Sequence, residues 1–340
     1  MAYRLKPGDV NTRAFRKIAG EQVARALAVL AGDPVTPEDV HTCRKVVKRL
    51  RSMLRLVEPA LAVKWFAARN RAIGKIGDGL AGAREAHVLE ETIVKLETRF
   101  GSEAVTALAP LKARMAAARP GEPARLMAQD IMRVADAFRE EGRKLAKLDL
   151  NGKGFAALEG GLDKTYRAAR RNFARAYRTP TDDHFHELRK AVQWHWRHMA
   201  LLSRSWPATF GVRIAACRDL AEILGEDHDL AMLDLEVRRA GGAPADGHDI
   251  ILRFVKRRQE ELRARAYALA ERLFAEKPKA FTRRMEAYWT CRQPILPTGS
   301  APAASDSDGP PAADEPPPRA LAAPRLAVKS HKPTPSQGHT

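Results

Sequence analysis

The amino-acid sequence predicts an all-α protein built from two helical bundles. Three observations lead to this class. Apolar residues recur at helical spacing along most of the chain. No run of alternating polar and apolar residues bounded by turns, which would indicate a strand, occurs anywhere. A basic segment containing a histidine occurs twice, 145 residues apart, so we expect two copies of one helical unit related by a pseudo-two-fold axis.

The first half of the chain covers about residues 1–150 and is predicted to contain six helices. Gly32-Asp33-Pro34 is expected to end the first helix, and Glu58-Pro59 to break or bend the second. Asn151-Gly152-Lys153-Gly154 is the best internal boundary of the chain. The predicted helices span about 12–30, 37–57, 61–77, 84–99, 102–118 and 123–146.

The second half covers about residues 155–292 and is also predicted to be helical throughout. It opens with a helix over about 156–178, which is followed by a helix that contains His186. A Gly-containing turn is expected between Gly225 and Asp229, so that one helix ends there and another begins. The remaining predicted helices span about 249–275 and 278–289.

The helix that follows Thr36 has one basic face and one apolar face. Thr36 is a favourable N-cap, and Pro37 suits the first helical position. Like charges three or four residues apart repel each other, and no acid on this stripe relieves the repulsion. A solvated surface and a row of donors for a polyanion are both consistent with the pattern. Within an arc of about 120° lie His41, Arg44, Lys45, Lys48, Arg51, Ser52 and Arg55.

The same stretch recurs around His186 in the second half. At the offset of 145 residues the capping threonine, the histidine and an Arg-Lys pair all coincide. The second basic stripe is weaker, because three basic positions are lost. The corresponding pairs are Lys48 and Gln193, Arg51 and Trp196, and Arg55 and Ala200. A second echo, at an offset of 142 residues, relates residues 80–89 to residues 222–231.

Another basic face is predicted on the helix at about 156–178. Aromatic residues lie on the opposite side of this helix, and no acid follows Asp163 until Asp182. A purely solvated surface explains this stripe less well, because all its charges have one sign. The five cations that share an arc of about 80° are Lys164, Arg167, Arg171, Arg175 and Arg178.

The charge of the chain is concentrated in its helical part. Lysine and arginine outnumber aspartate and glutamate by 59 to 41, for a net charge of +18. Residues 293–340 contain four basic and four acidic residues, so the whole excess lies in residues 1–292. This points to a polyanionic partner: nucleic acid, an acidic membrane or an inorganic phosphate polymer. Eleven of the 22 prolines lie in residues 293–340, which we expect to form a disordered tail.

Cysteine usage and hydropathy restrict the remaining classes. The three cysteines are scattered and form no CxxC motif, so neither a zinc finger nor a disulfide framework is supported. The first residues do not form a signal peptide, and no run of about 18 apolar residues occurs. We therefore expect a soluble cytoplasmic protein that carries no cofactor.

At these motifs the chain resembles the CHAD family of histidine-bearing α-helical domains. The resemblance covers about residues 3–290 and leaves only the tail outside. It rests on His41-x-x-Arg44-Lys45-x-x-Lys48-Arg49-x-Arg51, on His186-Glu187-Leu188-Arg189-Lys190, on Leu224-Gly225-Glu226-Asp227-His228-Asp229-Leu230, and on Lys277-Pro278-x-x-Phe281. Single elements are weak signals, but the ordered set in two copies is a strong one.

The resemblance implies two helical bundles around a pseudo-two-fold axis, with basic helices lining a central channel. It also implies binding of inorganic polyphosphate and recruitment to polyphosphate granules, where polyphosphate-metabolising enzymes would be partners. The charge pattern agrees with a polyanion but does not by itself select polyphosphate over RNA. We expect a binding module with no catalytic residue and no metal ligand, rather than an enzyme.

The candidate site residues follow from the basic faces and the resemblance together. His41 and His186 are expected to donate hydrogen bonds in the channel. Glu85 and Asp227 are expected to orient basic or histidine side chains rather than to touch the anion. The predicted phosphate contacts are Arg44, Lys45, Lys48, Arg49, Arg51, Arg55, Lys164, Arg167, Arg171, Arg175, Arg189, Lys190 and Arg197.

A metal-dependent phosphohydrolase is the first alternative. Several side chains of metal-ligand type are present, and His195 with His198 has i,i+3 spacing. However, His41 and His186 lie on stripes of cations, where a divalent ion would need several carboxylates. His195 lies near the core side of its helix. The other ligand types are Glu85, Asp227, His228 and Asp229.

A non-specific RNA- or DNA-binding module is the second alternative, because the charge fits. Aromatic residues make up only 6% of the chain, and the tryptophans and tyrosines lie mostly at core spacing. Stacking platforms for bases are therefore not evident. We expect nucleic acid to act only as a non-specific competitor. A membrane surface is less favoured, because the basic helices carry ordinary core faces.

Overall fold

The computed structural model describes residues 3–80, 85–117, 127–239 and 248–291, and every regular element within these ranges is a helix. The first half contributes α1 Thr12–Leu30, α2 Pro37–Leu56, α3 Val63–Asp78, α4 Glu85–Phe100, α5 Ser102–Ala117 and α6 Ala128–Leu145. The second half contributes α7 Ala156–Arg178, α8 Asp182–Leu202, α9 Pro207–Arg239, α10 His248–Leu273 and α11 Pro278–Thr290. The all-α prediction is confirmed, whereas the predicted tail at residues 293–340 lies outside the described residues.

Both histidine-bearing helices begin at a threonine cap. The backbone N–H of Asp39 donates to the Thr36 hydroxyl, and the Asp39 carboxylate accepts from the Thr36 N–H at 2.9 Å, which completes a capping box. In the second copy the hydroxyl of Thr181 accepts from the backbone N–H of His184 at 3.2 Å. The predicted cap at Thr36 is confirmed, and the two caps lie 145 residues apart, as the sequence offset requires.

The turn predicted between Gly225 and Asp229 is wrong. These residues lie inside α9, which runs without interruption for 33 residues. One glycine within a helix costs only about 1 kcal/mol, and burial of the neighbouring leucines against α8 and α10 outweighs that cost. A Cβ atom at Gly225 would lie 3.4 Å from the guanidinium group of Arg189. The glycine therefore permits close packing of α8 on α9 rather than a change of direction.

Two hydrophobic cores hold the helices together, and each contains residues from both halves of the chain. The larger core contains residues of α1, α2, α3, α6, α7, α8 and α11 and of parts of α9 and α10, with Phe15, Leu50, Tyr166 and Phe281 fully buried. The smaller core joins α4 and α5 to the C-terminal part of α9 and the N-terminal part of α10. The boundary near residue 151 thus separates the repeat copies in sequence but does not separate the cores. The pseudo-two-fold relation of the copies stays a prediction.

The C-terminal half of α2 is closely covered by α7 and α8. A Cβ atom at Gly161 of α7 would overlap the carbonyl oxygen of Leu56, so only glycine permits this approach. The carbonyl oxygen of Ser52 lies 2.9 Å from Nε2 of the buried His198 on α8. These contacts bring the basic helices of the two halves against each other. None of the helices in the described ranges has both the length and the apolarity needed to span a bilayer.

Candidate polyanion-binding site

The basic face of α2 remains partly exposed, while its apolar face is buried. Val46 and Leu50 lie in the core with no exposed surface. The cations retain the long, partly solvated side chains that a surface for anions needs. Partial exposure is shared by His41, Arg44, Lys45, Lys48, Arg51 and Arg55.

Two arginines of this face are fixed by hydrogen bonds next to α3. The guanidinium group of Arg44 donates to the carbonyl oxygen of Leu80 at 2.9 Å. Nε of Arg51 donates to the side-chain oxygen of Asn70 on α3 at 3.1 Å. The structure therefore places these two predicted contacts on the same side of α2 and restrains their guanidinium groups.

Lys45 and Arg49 have different surroundings. Lys45 lies 3.9 Å from the carboxylate of Glu38 in the first turn of α2. Arg49 donates to the side chain of Gln22 on α1 at 3.3 Å and lies over the ring of Tyr3, 5.7 Å from its centre. Arg49 thus contacts the N-terminal segment and α1, so the structure does not group it with Arg44 and Arg51.

Arg55 lies where α2 meets α8. Its guanidinium carbon is 4.0 Å from the centre of the Trp194 ring, within the range of a cation–π interaction. Its Nε is buried and has no hydrogen-bond acceptor within the part of the chain that the structure describes. Burial and the neighbouring Arg51 lower the pKa of Arg55, and Glu58 opposes this effect. Arg55 is therefore a restrained cation in an electropositive environment.

A second cation–π group lies nearby on α8. Arg197 is buried, donates to the carbonyl oxygen of Gln193 at 2.8 Å, and lies over the ring of Trp196 at 4.2 Å. Arg218 of α9 lies over the same ring at 5.0 Å. The residue that replaces a basic position of the first copy, Trp196, therefore holds two arginines instead of contributing a charge itself.

The basic stripe predicted on α7 is divided by ion pairs. Lys164 donates to Glu58 at 2.7 Å, and Arg167 forms a bidentate pair with Asp163, with a shortest distance of 2.7 Å. Arg171 and Arg175 are exposed, and no acidic partner for either occurs among the described residues. Two of these four predicted contacts are thus neutralised locally, and two present unpaired charge to solvent.

The N-terminal half of α8 carries the second predicted histidine. The rings of His186 and His228 lie 4.4 Å apart between α8 and α9. Burial and the nearby cations Lys190 and Arg189 lower the pKa of His186, and burial together with Arg189 lowers the pKa of His228 to about 4. Lys190 also forms an ion pair with Glu187. Both histidines are thus neutral at pH 7 and can act as hydrogen-bond donors without adding charge.

The predicted supporting residue Asp227 contacts an arginine of another helix. Asp227 is buried, and its carboxylate accepts from Nε of Arg263 on α10 at 2.7 Å. Burial raises the pKa of Asp227, while the Arg263 guanidinium opposes the rise. Arg263 also binds Asp182 at 2.5 Å and lies over the Phe185 ring at 4.2 Å. Arg263 of α10 therefore joins Asp227 of α9 to Asp182 at the start of α8. The side chain of Glu85 lies outside the described residues.

Three residues that shape this site were missed from the sequence: Trp194, Arg218 and Arg263. Each acts through a contact between helices that are far apart in the chain, and periodicity along one helix gives no signal for such a contact. Among the residues whose side chains the structure describes, no group of three or more His, Cys, Asp or Glu side chains is arranged to hold a metal ion.

The fold and these basic helices define an all-helical domain with restrained arginines on facing elements. The family model of the CHAD domain matches residues 13–238, which is more than half of the chain. The chain therefore belongs to the CHAD domain family.

Solved structures that share this fold include the following two. PptA from Streptomyces chartreusis matches with a TM-score of 0.53 and 14% identity, over 79% of this chain and all of that chain. The CHAD domain from the plant Ricinus communis matches with a TM-score of 0.51 and 19% identity, over 86% of this chain and 96% of that chain. At these identities the likeness concerns the fold alone. No curated protein matches the chain in sequence.

Proposed function

We propose that the protein binds inorganic polyphosphate along the basic faces of α2, α7 and α8. The observation that carries this proposal is the contact of Arg55 with Trp194, which joins the basic helices of the two repeat copies. Because these helices meet, cations from both halves of the chain can bind one extended ligand rather than two separate ligands. Membership of the CHAD family supports the same ligand class.

The chemistry of the ligand matches these side chains. Polyphosphate carries about one negative charge per phosphate and offers oxygen acceptors along its whole length, as do the backbone phosphates of nucleic acids. Arginine presents a planar fork of N–H donors to such oxygens, and lysine presents a compact charge. One exposed ion pair contributes only about 0–1 kcal/mol. About a dozen pairs on one chain, together with counterion release, produce tight binding that weakens steeply with salt.

The cellular role follows from this binding mode. In this proposal the protein is a binding module without catalytic residues. It is located in the cytoplasm and is recruited to polyphosphate granules. There it meets polyphosphate-metabolising enzymes. A central channel between the basic helices is the arrangement in which a linear polymer contacts both repeat copies at once.

Arg171 and Arg175 of α7 provide the test. Arg171→Ala/Arg175→Ala removes two exposed charges that have no acidic partner among the described residues. We expect affinity for long-chain polyphosphate to fall about tenfold at low salt, and the slope of log affinity against log salt to decrease by about 2.

The matched control removes two exposed arginines from α6, which packs on α1 and α3. Arg139→Ala/Arg143→Ala causes the same loss of charge, but each of these arginines already pairs with an acid one turn away. We expect this control to change polyphosphate affinity less than twofold. Equal losses in the two double variants would show that only net charge matters and would contradict a defined site.

A further inference from the structure

Trp194 has an unusual place beside the basic helices. It lies half-buried on α8, and one face of its indole ring is covered by the guanidinium group of Arg55 at 4.0 Å. Tryptophan provides the strongest cation–π contact of the aromatic residues. The ring therefore restrains a cation that belongs to the other repeat copy.

This contact holds Arg55 without using its hydrogen-bond donors. A guanidinium group has five N–H donors, which lie in its plane. The π face of an indole attracts the cation but accepts no hydrogen bond from these in-plane donors. Arg55 Nε is buried and has no acceptor among the described residues. By contrast, Arg167 uses its donors on the carboxylate of Asp163. The buried Nε is out of reach of a ligand, but the two terminal nitrogens of Arg55 donate to no described residue and remain available to an acceptor supplied by a ligand.

The charges around Arg55 show which kind of acceptor this is. Arg51 acts on it from the same helix, and Glu58, the acid that acts on it, is already bound to Lys164 at 2.7 Å. On α8, the cation Arg197 acts on the same buried His198 as Arg55 does. The surroundings are therefore cationic, and a neutral or positively charged ligand would be repelled or poorly bound.

We infer that Trp194 is a positioning residue, which holds Arg55 at the crossing of α2 and α8 so that its donors meet a phosphate of the bound chain. This inference rests on the proposed function and adds a source of selectivity. Single-stranded RNA gains affinity when its bases stack on a free aromatic ring. Because Arg55 covers one face of Trp194, an RNA base cannot gain affinity by stacking on that face. Polyphosphate has no bases, so covering this face does not lower its affinity.

A double-mutant cycle tests the inference. Polyphosphate affinity is measured for the wild-type protein, Trp194→Leu, Arg55→Ala and the double variant. We expect Trp194→Leu to weaken binding about fivefold and Arg55→Ala to weaken it at least as much. The double variant is expected to bind no more weakly than Arg55→Ala alone, because the ring acts through the arginine.

Two further measurements separate positioning from a general loss of structure. Trp194→Phe keeps an aromatic face and is expected to retain affinity within about twofold of wild type. In Arg55→Ala the indole becomes available to a base, so polyphosphate affinity is expected to fall more than affinity for single-stranded RNA. Additive losses in the cycle, or equal losses for both polymers, would overturn this inference alone. A wild-type protein that does not bind polyphosphate would overturn the proposed function as well.

Discussion

The guanidinium group of Arg55 lies over the ring of Trp194 at 4.0 Å, although the two residues are 139 positions apart in the chain. One belongs to the basic helix of the first repeat copy and the other to its counterpart in the second. Close to this contact, the buried His198 lies 2.9 Å from the carbonyl oxygen of Ser52. The crossing of α2 and α8 is thus part of the hydrophobic core and of the candidate site at once.

The crossing of α2 and α7 depends on a glycine. Gly161→Ala would place a methyl group onto the carbonyl oxygen of Leu56, which is backbone and cannot rotate away. We expect this variant to lose about 3 kcal/mol of unfolding free energy, measured by urea denaturation. Gly20→Ala is the matched control, because Gly20 lies exposed within α1 with no neighbour near its Cβ position. The control should gain about 1 kcal/mol. Equal unfolding free energies for Gly161→Ala and Gly20→Ala would contradict the close approach of α7 to the Leu56 carbonyl group.

Acid is expected to destabilise the fold through its buried histidines. Burial lowers the pKa of His198 from 6.5 to about 4, and it lowers the pKa of His195 well below 6.5. A histidine with a lowered folded pKa binds fewer protons when folded than when unfolded. Above pH 6.5 these histidines therefore do not lower the stability of the fold. As the pH falls from 6.5 towards the folded pKa, each of them lowers the unfolding free energy by about 1.4 kcal/mol per pH unit.

His198→Asn isolates one of these contributions. The variant cannot be protonated at this position, so its unfolding free energy should decline less steeply between pH 7 and pH 5 than that of the wild type, on the order of 1 kcal/mol less per unit. It should also be less stable at pH 7, because the contact with the Ser52 carbonyl oxygen is lost. Parallel pH profiles for variant and wild type would show that His198 does not carry this acid sensitivity.

The buried ion pair of α9 should matter far more than its exposed pair. Asp227→Ala removes the buried carboxylate partner of Arg263, leaves it only the exposed Asp182, and is expected to cost about 3 kcal/mol. Asp234→Ala removes the partner of the exposed Arg238 on the same helix and is expected to cost about 0.5 kcal/mol. Guanidinium chloride unfolding of both variants measures the difference. Similar costs would mean that Asp227 does not anchor α10.

Helix positions could be predicted from the sequence because their signals are local. Apolar spacing was sufficient to predict α1 at Thr12–Leu30 and α7 at Ala156–Arg178 with the bounds that the structure shows. The same local signals failed at Gly225, since continuity of α9 there depends on packing against α8 and α10. The sequence alone does not distinguish a glycine in a turn from a glycine at a close contact between helices.

The candidate site was predictable in its charges but not in its partners. Asp163 and Arg167 are four residues apart, so their ion pair could have been found by spacing on one helix. Lys164 is neutralised by Glu58 from another part of the chain, and Arg55 is restrained by Trp194 from another helix. Such contacts follow from tertiary structure. Cations that look alike in the sequence therefore differ in the fold in how far they are available to bind an anion.

The central claim is that the basic faces of α2, α7 and α8 select a phosphate chain. The most direct measurement is competition between long-chain polyphosphate and single-stranded RNA of equal total charge for the wild-type protein, at two salt concentrations. A variant with Lys48, Arg171 and Arg175 changed to alanine is measured alongside. We predict that polyphosphate displaces RNA, that affinity falls steeply with salt, and that the preference is lost in the variant. Equal binding of both polymers, or an unaffected variant, would contradict the claim and leave a general basic surface.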